Sequence, residues 1–211
     1  MQNNIKEVVE WILCIIIAVV LALLVRYYIF TPTVVRQRSM YPTLINNERL
    51  FLNRLAITKK EEIKRGEIIT FEAPSVKDIK SAQFNKENPV AIYDNEPTNI
   101  FSKFTYYVLE IGKESYIKRV IGVAGDHVLI ENGKVYINGE ELEEEYLQDD
   151  VVTERTGLFY DITVPEGYIF AMGDNRRESA DCRNFGCIPV DKVESKVAMR
   201  FWPLSKWGKV N

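Results

Sequence analysis

One hydroxyl residue near the amino terminus has the setting of a nucleophile. Ser39 lies in the stretch VVRQRSMYPTL, residues 34–44, between an arginine and a methionine and ahead of a proline-bearing turn. A serine hydroxyl needs a base to take its proton, and the usual base is histidine. The chain has one histidine, His127, which follows a Gly-Asp pair at the start of a predicted strand. A turn or surface role is favoured for His127, so a Ser-His-Asp triad is not expected.

Lys118 is the alternative base. A free lysine amine, with a pKa of ~10.4, is almost wholly protonated at neutral pH, so it must be desolvated to accept a proton. In YIKRVIGV, residues 116–123, strand alternation puts Lys118 on one face with Tyr116 and Val120. Burial of that face would lower the lysine pKa by up to several units. The same pattern also fits a lysine on an edge strand that blocks aggregation, and by itself it favours that ordinary role.

A third candidate is a polar stretch, MGDNRRESADCRNFG, residues 172–186, which directly follows the apolar strand YIFAM. Aspartates, arginines, an asparagine and a serine arriving together suggest a loop whose charge-assisted hydrogen bonds hold a site in place. A solvated surface loop is the alternative. The pattern alone leaves both open.

An apolar run precedes the three candidate stretches and would position them relative to a membrane. It covers residues 11–25. With its flanks the run exceeds 20 residues, and at ~1.5 Å per residue it can cross a ~30 Å hydrocarbon core. Trp11, Tyr27 and Tyr28 stand at its ends, as rings at membrane interfaces do. No Ala-x-Ala site follows, so we expect a retained anchor over residues 8–30 rather than a cleaved signal peptide. The flanking charges do not fix its orientation.

The rest of the chain is typical of a mainly β, antiparallel domain. Two Asn-Gly pairs, at 132–133 and 138–139, predict tight hairpin turns. The segment from 72 to 114 is read as a long excursion between two strands, partly loop and partly short strands of its own. The predicted strands lie within residues 66–71, 115–123, 127–142, 158–172 and 196–202.

Composition narrows the class of protein. The chain has 211 residues, 46% of them hydrophobic, which suffices for one membrane segment and one compact domain. With 27 basic and 30 acidic residues the net charge is −3, which argues against a nucleic-acid partner. The three cysteines lack the spacing of a zinc site, and we expect no metal and no cofactor. The acidic residues between 140 and 145 are expected to form a solvated surface.

Taken together, these stretches resemble the bacterial type I signal peptidase family. The family's Ser-Met-x-Pro-Thr-Leu matches residues 39–44, and its Tyr-Ile-Lys-Arg-Val-Ile-Gly matches residues 116–122. Its strand Gly-Asp-Ile-Val-x-Phe is similar to residues 66–71, and its Gly-Asp-Asn-Arg-x-x-Ser-x-Asp-Ser-Arg box matches residues 173–183, with Cys182 for the second serine. The similarity covers most of the chain outside 72–114.

The resemblance implies a fold and a location. The fold would be the antiparallel β fold that signal peptidases share with self-cleaving repressor peptidases, preceded by one transmembrane helix. Residues 1–7 would be cytoplasmic and residues 8–30 would span the bacterial cell membrane. Residues 31–211 would form the extracytoplasmic peptidase domain, with a variable insertion at about 72–114.

The resemblance also implies a role for each site residue. Ser39 would attack the scissile carbonyl of an exported precursor, with its backbone N–H holding the oxyanion, and Lys118 would be the general base. Ser179 would hydrogen-bond and orient the lysine amine. In one branch of the family, a serine two places before the nucleophile supplies a second donor to the oxyanion. This chain has Gln37 at that position. Further supporting residues would be Asp174, Arg119, Asp181 and Arg183, and the substrate would contact Met40, Val34, Val35 and Gln37.

Partners and rival functions follow from the same residues. Signal peptides of secreted preproteins and the lipid bilayer are the expected partners. A self-cleaving repressor-type peptidase would have no anchor, and a single-pass envelope β domain that only binds a partner would have no dyad. The tail at residues 200–207 fits either a membrane-surface segment or a final strand with Trp202 in the core. Cys182 and Cys187 are expected to be free thiols.

Overall fold

The structure is a computed structural model that describes residues 2–80, 85–94 and 96–210. It opens with helix α1, Gln2–Tyr28. The part Lys6–Tyr28 is long and apolar enough to cross a membrane, and none of it is buried against the rest of the protein. The helix gives way to a strand within two residues, where the Thr31 hydroxyl donates to the Arg26 carbonyl oxygen at 2.7 Å. The anchor is therefore coupled directly to the first strand of the domain.

Eleven strands follow in the described part of the chain, all in antiparallel pairs. Their bounds are β1 Phe30–Val34, β2 Arg49–Asn53, β3 Ile68–Glu72, β4 Ser115–Val123, β5 His127–Glu131, β6 Lys134–Ile137, β7 Glu140–Glu141, β8 Asp161–Thr163, β9 Tyr168–Met172, β10 Ile188–Pro189 and β11 Val193–Trp202. Seven form one sheet in the order β1-β2-β11-β3-β4-β9-β10, and four form a second in the order β7-β6-β5-β8. The mainly β, antiparallel prediction is confirmed.

The turns of the second sheet follow the predicted chemistry. Asn132 and Gly133 have φ of 50° and 79°, and Asn138 and Gly139 have φ of 54° and 88°. Positive φ at both central residues is the geometry that an Asn-Gly hairpin turn needs. These two pairs close the β5-β6 and β6-β7 hairpins.

Two apolar clusters hold the sheets. The larger one joins both sheets, since Phe71 and Val120 of the first sheet pack in the same cluster as Val128 and Ile130 of the second. The smaller cluster lies under β1 and β2 and includes Val35, Met40, Leu44, Leu50, Leu52 and Ile68. It anchors the loop that carries Ser39 on both sides, because Val35 before the serine and Met40 and Leu44 after it are buried in it.

The segment between β3 and β4 departs from expectation. Short strands were predicted for part of 72–114, but Ile100–Lys103 forms helix α3 and Phe104–Val108 continues as one turn of π-helix. The Asn99 side chain accepts a hydrogen bond from the Ser102 N–H at 2.7 Å, which is a helix N-cap. Aromatic and β-branched residues favoured a strand here, and the cap with its tertiary contacts overrides that propensity. Residues 81–84 and 95 lie outside the described part of the segment.

Two further short helices complete the domain. Helix α2, Leu55–Thr58, follows β2, and helix α4, Cys182–Phe185, follows β9. Asp181 is the N-cap of α4, where its side chain and that of Asn184 form a reciprocal capping box. This box fixes the carboxylate of Asp181 in the interior of the domain, where it is fully buried.

Candidate active site

The structure brings Ser39 and Lys118 together. Ser39 follows β1 on a loop, and Lys118 lies in the middle of β4, paired with Ile69 of β3. Lys118 Nζ and Ser39 Oγ are 2.8 Å apart. Lys118 is 1% exposed and Ser39 is 8% exposed. A lysine that guards an edge strand faces the solvent, so the burial of Lys118 excludes that alternative.

Burial changes the acid–base behaviour of the lysine. Removal of the amine from water lowers the pKa of Lys118 to about 8, against the opposing charge of Asp181, which raises it. The amine also lies 5.2 Å from the centre of the Tyr116 ring. At that pKa about a tenth of Lys118 is neutral at pH 7 and able to accept a proton from a hydroxyl, far more than for a free lysine.

An ion pair next to Lys118 ties the strand to the nucleophile loop. Arg119 donates to both carboxylate oxygens of Asp174, from Nε at 3.0 Å and from a terminal nitrogen at 2.8 Å. The Thr43 hydroxyl donates to the same carboxylate at 2.5 Å. Arg119 also donates to the Gly66 carbonyl oxygen at 2.9 Å. The pair thus connects β4, the loop after β9 and the loop that contains Ser39.

A second ion pair, Arg183 with Asp181, holds the loop after β9. Arg183 donates to both oxygens of Asp181 at 2.8 Å, and both side chains are fully buried. The Gly173 N–H donates to Asp181 at 3.1 Å. Burial by itself would raise the pKa of Asp181, but Arg183 and the Gly173 N–H hold it below its ordinary value. Asp181 is therefore a fixed negative charge near Lys118.

Asn175 holds the nucleophile in place, and it is absent from the predicted set of site residues. Its backbone N–H donates to the Ser39 carbonyl oxygen at 3.0 Å, and its side-chain amide donates to the Arg38 carbonyl oxygen at 3.2 Å. The sequence signal that could have found it is the tight Gly-Asp-Asn turn. Among the described residues no acceptor receives a hydrogen bond from the Ser39 N–H, so this donor is available to a ligand.

Ser179 does not make the predicted contact with the lysine. Its Oγ is buried and has no hydrogen-bond partner in the described part of the chain. The hydroxyl nevertheless lies beside the nucleophile loop. A Cβ on Gly173 would be 2.2 Å from Ser179 Oγ and 2.4 Å from the Ser39 carbonyl oxygen.

The four residues expected to contact substrate line one cleft together with Ser39. The cleft has a volume of about 430 Å³, and Val34, Val35, Gln37 and Met40 are among its walls. Met40 and Val35 are mostly embedded in the smaller apolar cluster, whereas Val34 and Gln37 are exposed. A second cleft is lined by Arg38, Tyr116, Lys118, Glu178 and Ala180, and it shares Ser39 and Gln37 with the first. Ser39 therefore lies where two clefts join, as a bond-cleaving residue of an extended substrate would.

Residues 140–145 were expected to form a solvated acidic surface, and for Glu144 this expectation is wrong. Glu144 is not solvated: it pairs with Arg176 in a two-pronged contact, one arm of which measures 2.9 Å. Arg176 is fully buried and also donates to the Thr153 hydroxyl at 2.6 Å. The neighbouring Tyr146 ring lies 3.8 Å from the Arg119 guanidinium carbon. The loop after β7 therefore covers the charged groups behind the site.

Other predicted features lie elsewhere. The His127 ring bonds to Asp161 at 2.8 Å on the second sheet, in keeping with the surface role favoured for it. Cys182 and Cys187 are buried free thiols, as expected. Trp202 is 49% exposed, which excludes the reading that places it in the core. Within the described ranges no group of three or more His, Cys, Asp or Glu side chains is placed to hold a metal ion.

The sequence is similar to those of known proteins over nearly its whole length. A family model described as "Signal peptidase, peptidase S26" matches residues 8–202. Signal peptidase I S of Bacillus subtilis (strain 168) is 33% identical over 98% of this chain and 95% of that protein. Signal peptidase I P of Bacillus subtilis subsp. natto is 36% identical over 97% of this chain and 94% of that protein. Signal peptidase IB of Staphylococcus aureus (strain COL) is 31% identical over 96% and 93%, respectively. The chain therefore belongs to the signal peptidase family of peptidase S26.

Proposed function

We propose that the protein is a membrane-bound serine endopeptidase that removes N-terminal signal peptides from exported preproteins. The observation that carries the proposal is the 2.8 Å contact between Ser39 Oγ and the amine of Lys118, a lysine that is almost completely buried. Membership of the signal peptidase family supports the reaction and the substrate class. A binding domain without catalytic activity gives no reason to bury a lysine against a serine hydroxyl.

The first step is acylation. Neutral Lys118 takes the proton of the Ser39 hydroxyl as Oγ attacks the scissile carbonyl carbon. The oxyanion that forms accepts a hydrogen bond from the free Ser39 N–H, a donor that can contribute about 3 kcal/mol. Collapse breaks the peptide bond, and Lys118 gives its proton to the leaving amine of the mature protein. The signal peptide remains attached to Ser39 as an ester.

The second step is hydrolysis of that ester. Lys118, neutral again, takes a proton from a water molecule whose oxygen attacks the ester carbonyl carbon. The tetrahedral intermediate releases the signal peptide with a carboxylate, and the proton returns to Ser39 Oγ. Lys118 thus acts as base and acid in turn, which requires a pKa near the working pH.

The supporting residues are assigned by their contacts. Asp174 and Arg119 hold Thr43 and with it the nucleophile loop, while Asp181 and Arg183 hold the Gly173 backbone. Asn175 fixes the peptide on either side of Ser39. These five are positioning residues, because the contacts that assign them hold the backbone and Thr43 around the nucleophile. Ser179 would join them once its hydroxyl meets the amine.

The substrate would lie in the cleft as an extended strand. Its residues before the scissile bond would occupy the wall formed by Val34, Val35 and Met40, and side chains there must be small because Val35 and Met40 fill the floor. Gln37, exposed beside Ser39 in both clefts, is placed to contact the substrate backbone. This arrangement favours substrates with small side chains near the cleavage site.

The location follows from the anchor and from the reaction. Residues 8–28 of α1 would span the bacterial cell membrane, with residues 1–7 in the cytoplasm and the domain from β1 onward on the outer face. A signal peptide ends its own apolar helix at that face, so cleavage must take place close to it. The exposed rings of Trp202 and Trp207 suit contact with the same interface.

Cleavage of a precursor by the full-length protein in vesicles tests the proposal. Ser39→Ala and Lys118→Ala should each lower the rate by at least about 10³-fold, since each removes a reacting group. Lys118→Met keeps the apolar stem without the amine. It should fold even if Lys118→Ala does not, and it should show the same loss of rate. Lys134→Ala, at an exposed lysine on the second sheet, is the matched control and should cut at the wild-type rate. Wild-type rates in the Ser39 and Lys118 variants would rule the peptidase mechanism out and favour a binding protein.

A further inference from the structure

The segment that joins β3 to β4 carries exposed apolar side chains that the active site does not use. Ile100 is 88% exposed, Phe101 74%, Phe104 45% and Ile111 63%. Spacing of one, three and four residues puts Ile100, Phe101 and Phe104 on one side of the helical turn. Large apolar side chains exposed together mark an interaction surface rather than ordinary scattered exposure. We name these four residues the insertion face.

The opposite side of the same segment is fixed to the domain. The Tyr106 hydroxyl donates to a Glu72 carboxylate oxygen at 3.0 Å. The Lys113 ammonium pairs with Glu194 of β11 at 2.5 Å. The Ile111 N–H donates to the Thr105 carbonyl oxygen at 3.0 Å, which closes the end of the helical turn. The outward direction of the insertion face is therefore built into the fold.

An ion-pair cluster places this segment beside the end of the membrane anchor. Glu110 accepts from Arg26, in the last turn of α1, at 2.7 Å, and it also pairs with Arg54. Tyr27 and Tyr28 of α1 and Tyr107 of the segment line one cleft. Consecutive Cα atoms are ~3.8 Å apart, so Ile111, next to Glu110, is close to the point where the anchor leaves the bilayer. One member of the insertion face, Ile111, therefore lies next to the end of the helix that the proposed function places in the membrane.

We propose that the insertion face enters the lipid interface at the end of α1 and forms a second membrane contact of the peptidase domain. Its composition suits that occupant: aromatic and aliphatic side chains enter the acyl boundary, and flanking cations meet the headgroups. Lys103, exposed within the same helical turn, supplies positive charge for anionic lipids. The proposal rests on the membrane location of α1 that the proposed function assigns.

This contact has a consequence for the substrate cleft. Glu110, Lys113 and Glu114, at the end of the segment, also line the cleft that contains Ser39. A single anchor helix leaves a domain free to tilt at the membrane surface. A second contact fixed to one wall of the cleft sets the height and tilt of the cleft relative to the bilayer. Cleavage of a membrane-embedded precursor should therefore depend on the insertion face, whereas cleavage of a short soluble peptide should not.

Probe depth in vesicles tests the contact directly. In full-length protein with Cys14→Ser, Phe101→Cys is labelled with a polarity-sensitive fluorophore, while Cys182 and Cys187 stay buried. In vesicles of phosphatidylethanolamine and phosphatidylglycerol, the probe should emit at shorter wavelength, be quenched by lipids with a nitroxide near the headgroup, and resist iodide. Val152→Cys is the matched control at an exposed apolar side chain in the loop after β7, and its probe should be quenched by iodide.

Two outcomes would overturn the proposal. One is equal quenching by iodide at the Phe101 and Val152 sites, which means that the face is in water. The other is shielding of the Phe101 site that vanishes when the protein is diluted in excess lipid, which means that a second copy covers the face.

A charge placed on the face tests its role in activity. Ile100→Asp with Phe101→Asp should lower cleavage of a precursor in vesicles several-fold and leave cleavage of a soluble peptide in detergent unchanged. Val152→Asp should change neither rate. Equal rates on the vesicle precursor for the double variant and the wild type would refute a role in activity. A wild-type protein that cuts no peptide in detergent would instead count against the proposed function, while the probe depth would still report on the contact.

Discussion

Lys118 Nζ lies 2.8 Å from Ser39 Oγ, although the two residues are 79 positions apart in the chain. The contact depends on the central place of β4 in the large sheet and on the small apolar cluster that holds Met40 next to the nucleophile. The same burial that fixes the lysine removes it from water. Position and basicity of Lys118 therefore have one structural cause.

The pH dependence of cleavage should report the burial of Lys118. Burial lowers the pKa of Lys118 to about 8, and only the neutral amine can accept the Ser39 proton. Below that pH, kcat/KM should fall about tenfold per pH unit, and above it kcat/KM should level off. The measurement is a pH–rate profile on a peptide without groups that titrate in this range. A profile that keeps rising through pH ~10, the range of a free lysine, would contradict a desolvated base.

Replacement of Asp181 should move that profile. The negative charge of Asp181 raises the pKa of Lys118, so Asp181→Asn should lower it and shift the rising limb to lower pH. The variant also leaves Arg183 as an unpaired buried charge, which should cost about 3–5 kcal/mol of unfolding free energy at neutral pH. Urea unfolding and a pH–rate profile measure the two effects.

The stability difference caused by Asp181→Asn has its own pH dependence. The pKa of Asp181 is held below its ordinary value in the folded protein, so the carboxylate stabilises the fold above the unfolded pKa of ~3.9. The advantage of the wild type should therefore be complete at neutral pH and shrink as the pH falls below about 4. Glu141→Gln, in the exposed pair with Lys134, is the control and should change stability by no more than about 1 kcal/mol. Equal stability of Asp181→Asn and wild type would deny the buried pair its supporting role.

Local sequence patterns predicted the elements whose chemistry is local. Alternation in β4 put Lys118 on a face with Tyr116 and Val120, and all three are buried. The Asn-Gly turns required positive φ, which few other residue pairs adopt. The apolar run predicted α1 because a membrane span needs only length and composition.

Features that depend on distant partners were not predicted. The anchor was predicted to extend to residue 30 because the apolar run continues to that point. In the structure Phe30 already belongs to β1, Phe30–Val34. The contact of Asn175 with the Ser39 and Arg38 carbonyl oxygens uses backbone acceptors, which carry no residue-type signal. Glu144 looked like part of a solvated acidic run because its partner, Arg176, is 32 positions away.

Loss of the Glu144 charge should destabilise the covering loop. Arg176 is fully buried, and Glu144 is its carboxylate partner in the contacts that the structure describes. Glu144→Gln should lower the unfolding free energy by about 3–5 kcal/mol, because the guanidinium stays buried without a countercharge. Glu143→Gln, one position away and exposed, should change it by less than about 0.5 kcal/mol. Urea denaturation of the two variants in the same detergent gives the comparison, and similar losses in both would show that Arg176 does not depend on Glu144.

A methyl group at Gly173 should disturb the nucleophile more than the fold. A Cβ there would lie 2.2 Å from Ser179 Oγ and 2.4 Å from the Ser39 carbonyl oxygen, so the Ser39 loop must move away. A displacement of about 1 Å can cost about 10²-fold in rate, and Gly173→Ala should lower kcat by that order. In Gly139→Ala nothing lies within 4 Å of the new Cβ, but φ is +88°, so this control strains a hairpin turn far along the chain from Ser39. Gly139→Ala should lose stability and keep its kcat. If Gly173→Ala cuts as fast as the wild type, the close packing of Ser39 against the loop after β9 does not govern the reaction.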